Sequence, residues 1–102
     1  MRKLRLRGAA DSYIIDADFW NDLLDWAEES GWEPEQPPVL YRSDSGLEVS
    51  ASDAANLADT LEFIAGDLVL HELDVPDTFI KELIRTLAVL AEFFQQGGFR
   101  IC

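Results

Sequence analysis

Between Val75 and Gln96 apolar residues fall at helical spacing more densely than anywhere else in the chain. Phe79, Ile80, Leu83, Ile84, Leu87, Leu90, Ala91, Phe93 and Phe94 fill about half of the helix circumference, wider than the stripe of an ordinary surface helix. Lys81, Arg85, Glu92 and Gln96 gather on the other half. A helix of this kind needs covering on more than one side, and the other segments are read by how each could cover it.

Two further helices follow from period and caps. The first is predicted from Asp16 or Asp18 to Ser30, with acids at its N-terminus and Gly31 as the stop. Phe19, Trp20, Leu23, Leu24, Trp26 and Ala27 share one face; Asp18, Asp22, Asp25 and Glu29 line the opposite one. The second is predicted to start at Ser50, whose hydroxyl can cap the N–H of Asp53 while the Asp53 carboxyl reaches back. Its inward face is Ala51, Ala54, Leu57, Ala58, Leu61, Ile64, Ala65 and Leu68, leaving Phe63 and Leu70, seven residues apart, on the far side. Asp74, Pro76 and Asp77 mark the next turn and the start of the third helix, and Gly97 and Gly98 its end.

Shorter stretches alternate. KLRLR at 3–7 places Leu4 and Leu6 opposite three cations, an edge strand or a loose arm. Residues 39–42 and 47–49 flank Ser43, Asp44, Ser45 and Gly46 as a small hairpin. The terminal FRIC alternates again and could pair with KLRLR. The expected fold is therefore mainly α: one domain over 1–102, three helices, a short β-hairpin and possible terminal strand pairing. Within it, 1–10 is a basic arm or edge strand and 33–38 a stiff proline connector through Pro34, Pro37 and Pro38.

Charge changes the picture. Twenty Asp and Glu against eight Lys and Arg give −12, which disfavours nucleic-acid and anionic-membrane partners. Residues 11–35 hold nine acids and no base, whereas Arg2, Lys3, Arg5 and Arg7 concentrate half the cations at the N-terminus, an arm able to dock on its own acidic domain. Asp11 and Asp16 interrupt what would be the apolar region of a signal peptide, and Lys81, Glu82, Arg85 and Glu92 disqualify the most apolar helix as a membrane span. A single cysteine, Cys102, fits a reducing compartment, so a cytoplasmic location is expected.

VSASDAANLADTLE at 49–62, the G-W-x-P element of Gly31, Trp32 and Pro34, the tyrosine-containing stretch Tyr41 to Val49, and the G-G-F-x-I ending of Gly97, Gly98, Phe99 and Ile101 together resemble a group of small bacterial proteins with no established activity. The chain departs from that group at Asp44, Ser45 and Gly46, where an Asn-containing turn is expected. The resemblance implies a compact bacterial domain and carries over no catalytic residue.

Catalytic chemistry is poorly supplied. His71, the one histidine, excludes H-E-x-x-H and Cys/His zinc patterns and reads as a helix-end residue. Ser45 lacks a nucleophile elbow around it, Asp16 and Asp18 lack the rest of an EF-hand loop, and Gly97 and Gly98 follow a helix instead of preceding one. Trp20 and Trp26 sit at core spacing, while Trp32 is placed either to staple the connector or to stand partly exposed. No cofactor or metal is expected. The reading is a non-enzymatic acidic interaction or regulatory protein, docking a basic protein partner through Asp18, Asp22, Asp25 and Glu29, with Phe63 and Leu70 as the apolar interface of a homodimer. The competing class is a small enzyme or ligand-binding protein of unrecognised type.

Overall fold

The computed structural model describes residues 2–43, 46–74 and 78–102, with 71–74 described by their backbone. The order is β1 (Lys3–Gly8), β2 (Ser12–Asp16), α1 (Ala17–Glu29), α2 (Pro38–Tyr41), β3 (Leu47–Val49), α3 (Ala51–Asp74), α4 (Thr78–Gln95) and β4 (Phe99–Ile101). The strands form one antiparallel sheet in the order β2-β1-β4-β3. This corrects the mainly α, three-helix expectation: among the described residues four helices accompany a four-stranded antiparallel sheet.

The sheet arises from alternation. Leu4 and Leu6 of β1, Ile15 of β2, Val49 of β3, and Phe99 and Ile101 of β4 are buried on its inner face. KLRLR is therefore an internal strand and neither an edge nor an arm. It pairs with the C-terminal strand, Leu6 opposite Ile101 and Arg7 opposite Arg100, so the two termini do meet. Because a strand turns successive side chains to opposite faces, burying Leu4 and Leu6 forces Lys3, Arg5 and Arg7 outward. The cations stand on the solvent side of the sheet, which corrects the expectation that they dock on the acidic domain.

The hairpin across residues 39–49 is also corrected. Pro38, with φ already suited to a first helical turn, opens the one-turn helix α2, and β3 pairs with β4 instead of with residues 39–42. The turn residues Asp44 and Ser45 lie outside the described residues. Gly98 makes the β3–β4 approach possible, since a Cβ there would stand 2.5 Å from the Val49 carbonyl oxygen.

Each helix is set by a local signal. Asp16 caps α1, its Oδ1 accepting from the N–H groups of Asp18 (2.9 Å) and Phe19 (3.2 Å). Ser50 Oγ accepts from Asp53 N–H at 3.0 Å at the start of α3. The Asp53 carboxyl does not reach back, because it is engaged in the core. Within α3, Ala54, Leu57, Ala58 and Leu61 are buried, Ile64, Ala65 and Leu68 partly so, and Ala51 is exposed, against expectation. α3 and α4 form the most extensive helix pair, with Leu87 and Leu90 buried against it and Leu83 partly buried. The expected start of α4 at Pro76 and Asp77 lies outside the described residues, as does the His71 side chain.

Aromatic rings join helices to sheet. Phe94 stacks on Phe99 at 4.8 Å between ring centres, and Trp20 meets both rings edge-on at 6.2 and 6.5 Å. Among the described residues no helix is long and apolar enough to cross a membrane.

Candidate functional site

The acidic row of α1 lies where helical periodicity puts it. Trp20, Leu23, Leu24 and Ala27 are buried, so Asp18, Asp22, Asp25 and Glu29 are turned to solvent. The four are not equivalent. Asp25 Oδ1 accepts from Arg42 Nη2 at 2.7 Å, and Arg42 Nη1 donates to the Asn21 carbonyl at 3.1 Å. Asp25 is thus answered from within the chain, while Asp18, Asp22 and Glu29 make no ion pair among the described residues.

Arg42 is held in place by a buried network that no single segment announces. Asp53, 1% exposed, accepts from Trp32 Nε1 at 3.1 Å on one oxygen and from the Tyr41 hydroxyl at 2.5 Å on the other. The Tyr41 oxygen accepts from Gln36 N–H at 3.1 Å, its carbonyl accepts from Trp20 Nε1 at 2.7 Å, and its ring meets Trp32 edge-on at 5.2 Å. Burial, with the carboxyl of Asp53 close by, pushes the Tyr41 hydroxyl well above its ordinary range. Ser50 Oγ, which caps α3, donates to Glu35 at 2.6 Å. Trp32 therefore staples the connector, and residues 31–42 are pinned to the N-terminal turn of α3. The tertiary structure also carries Gly98 to that turn, but the glycine serves strand packing there.

At the C-terminal end of α1 an open groove of about 270 Å³ is lined by Trp26 and Glu29 of α1, by Ser30 just after it, by Phe63, Ile64, Asp67 and Leu68 of α3, and by Leu83 of α4. It brings together two features that were separate in the sequence: Glu29 from the acidic row and Phe63, which is 68% exposed. Asp18, at the opposite end of the row, is about 16 Å away along the helix axis at 1.5 Å per residue. Leu70, 66% exposed, continues the apolar stripe about two turns along α3. Trp26 was placed in the core by its spacing; it sits at the margin of the buried stripe, half-buried against Phe19 and open to the groove. That marginal wheel position was the one available signal. Ile64, Leu68 and Leu83 carried none, since each reads as core until the three helices are set beside one another.

The groove offers van der Waals surface bounded by two carboxyl groups, Glu29 and Asp67, neither of which has an ion-pair partner among the described residues. The solvent face of the sheet has the opposite character. Lys3, Arg5 and Arg7 stand in a row without ion pairs among the described residues, beside Arg100, which Glu48 engages and holds the more firmly protonated. Comparison of the chain with family models, with curated proteins and with solved structures returns no match.

Proposed function

We propose that the protein is a non-enzymatic interaction or regulatory protein that docks a basic protein partner through the acidic face of α1. The observation that supports this is that Asp18, Asp22 and Glu29, on one exposed helix face, have no ion-pair partner among the described residues. Acids four residues apart weaken an isolated helix by a few tenths of a kcal/mol per pair, and burial of Trp20, Leu23 and Leu24 does not require them there. Such a row accelerates encounter with a cationic surface and selects against acidic ones, and a polyanion would approach it against a net charge of −12. The lone cysteine supports a reducing, cytoplasmic setting for the reading.

The test uses a lysine-rich helical peptide and the full chain. Asp18→Asn, Asp22→Asn and Glu29→Gln together should slow association, and the wild-type rate should fall steeply from low to physiological ionic strength. Asp25 is left alone because it anchors Arg42. The control is Asp59→Asn with Glu82→Gln and Glu92→Gln, exposed acids of α3 and α4 whose loss changes net charge equally. If both triple variants slow association alike, net charge and not the α1 face governs encounter, and the reading is wrong.

The exposure of Phe63 and Leu70 favours a second reading, in which two copies meet through that apolar stripe. Light scattering of wild type and Phe63→Ser separates the two.

A further inference from the structure

The groove between the C-terminal end of α1, the middle of α3 and the first half of α4 bears on what kind of basic partner the acidic face would take, a reading that rests on that proposed docking. We infer that the groove seats the apolar side of a cationic amphipathic helix from the partner. An apolar side chain enters among Trp26, Phe63, Leu68 and Leu83, and Lys or Arg side chains on either flank meet Glu29 and Asp67.

Charge complementarity chooses the occupant. Glu29 and Asp67 come from two different helices and rim the groove on both sides, unpaired among the described residues. A second copy would bring another −12 charge to the same place, and an extended strand finds no free backbone edge on a surface made of helices. A helix presenting apolar residues at i, i+3 or i+4, and i+7 matches the seven-residue step from Phe63 to Leu70 along α3.

Gly66 is an independent observation. It lies in the middle of α3, on the face that carries Phe63, Asp67 and Leu70, and it is exposed. Its φ is not positive, and a Cβ added there would meet nothing within 4 Å among the described residues, so neither backbone conformation nor packing against them calls for glycine. Glycine is nonetheless the poorest residue after proline in a helix interior. What it supplies is a smooth stretch of helix beside the apolar stripe, over which another helix backbone approaches closely.

The probe is a synthetic helical peptide with leucine at i, i+3, i+7 and lysine at its other positions. Two relatives accompany it, one with the leucines replaced by serine and one with the lysines replaced by glutamate. Binding to the full-length chain is followed by amide shift mapping and tryptophan fluorescence. The Leu/Lys peptide is expected to perturb Trp26, Phe63, Asp67, Leu68 and Leu83, and to lose about tenfold in affinity with either relative, as loss of an anchor side chain typically does. Phe63→Ser should weaken it about tenfold, and Gly66→Gln should weaken it while leaving Tm unchanged or raised, because a better helix former now obstructs the approach. If the serine peptide binds as well and the shifts stay on Asp18, Asp22 and Glu29, the groove inference is overturned while docking by the acidic face stands. Equal binding of the glutamate peptide overturns the charge match, and absence of binding by all three removes both readings. A concentration-dependent dimer that Phe63→Ser abolishes, and that excludes the Leu/Lys peptide, identifies a second copy as the occupant and overturns the inference.

Discussion

Replacing Asp53 by Asn changes one atom, yet it should lower stability by about 1.5 to 3 kcal/mol, the range for a hydrogen bond to a charged acceptor. The side chain is 1% exposed and both of its oxygens accept, from Trp32 Nε1 and from the Tyr41 hydroxyl. Asn retains one acceptor and turns the other position into a donor. With its amide nitrogen toward Trp32, two N–H groups face each other. With the nitrogen toward Tyr41, the phenolic oxygen, already accepting from Gln36 N–H, takes a second donor and its own proton loses its partner. Either way at least one buried donor is orphaned. Asp53→Ala orphans both, so about 3 to 6 kcal/mol is expected, a large part of the 5 to 15 kcal/mol typical of a domain. Urea unfolding followed by far-UV circular dichroism and tryptophan fluorescence measures both losses. A cycle combining Asp53→Asn with Tyr41→Phe should show coupling above about 0.5 kcal/mol, since the two groups touch. A loss below about 0.5 kcal/mol for Asp53→Asn, in the range of surface changes, would refute the claim that this carboxyl pins residues 31–42 to α3.

Leu87→Ala, at a fully buried site of the α3–α4 interface, should destabilise by about 2 to 5 kcal/mol in the same unfolding assay. Stability should fall as pH climbs above about 10, because the unfolded chain releases the Tyr41 proton near the ordinary tyrosine value while the folded chain retains it; Tyr41→Phe should remove that part of the slope in urea titrations at stepped pH. Gly98→Ala places a methyl group 2.5 Å from the Val49 carbonyl oxygen, so it should cost more than the ~1 kcal/mol typical of a substitution and raise amide exchange in β3 and β4. Arg100→Ala, which removes a solvent-screened ion pair with Glu48, should leave the thermal unfolding midpoint close to that of wild type.

The helices were legible because their signals are local. Asp16 and Ser50 satisfy backbone groups two or three residues away, and the periods of α1, α3 and α4 can be read without knowing what they face. The acidic row was legible for the same reason, since a helix wheel alone turns Asp18, Asp22, Asp25 and Glu29 away from Trp20 and Leu23. Local preference was also what misled at residues 39–42. Val39 and Tyr41 favour strands by type, but Pro38 and the burial of Tyr41 between Trp20, Trp32 and Asp53 hold the segment in a helical turn.

The sheet and the site needed partners from elsewhere. β3 and β4 have three residues each, enough to read as short strands but too few to fix which strands they join, and β2 sets Ile14, 60% exposed, on the solvent face, which hides its period. Their pairing is decided between segments near opposite ends of the chain, where the gain comes from burying Leu4, Leu6, Phe99 and Ile101 together. Asp53 looked like half of a reciprocal cap; only once residues 31–42 are folded over α3 do two donors arrive that bind its carboxyl instead. The neutralisation of Asp25 by Arg42, and the meeting of Glu29 with Phe63 across the groove, depend in the same way on distances between elements. The chain by itself determined which faces are apolar and which acidic, because periodicity is a property of one element; which faces meet was decided by tertiary packing, because hydrogen bonds and apolar burial between distant segments are properties of pairs.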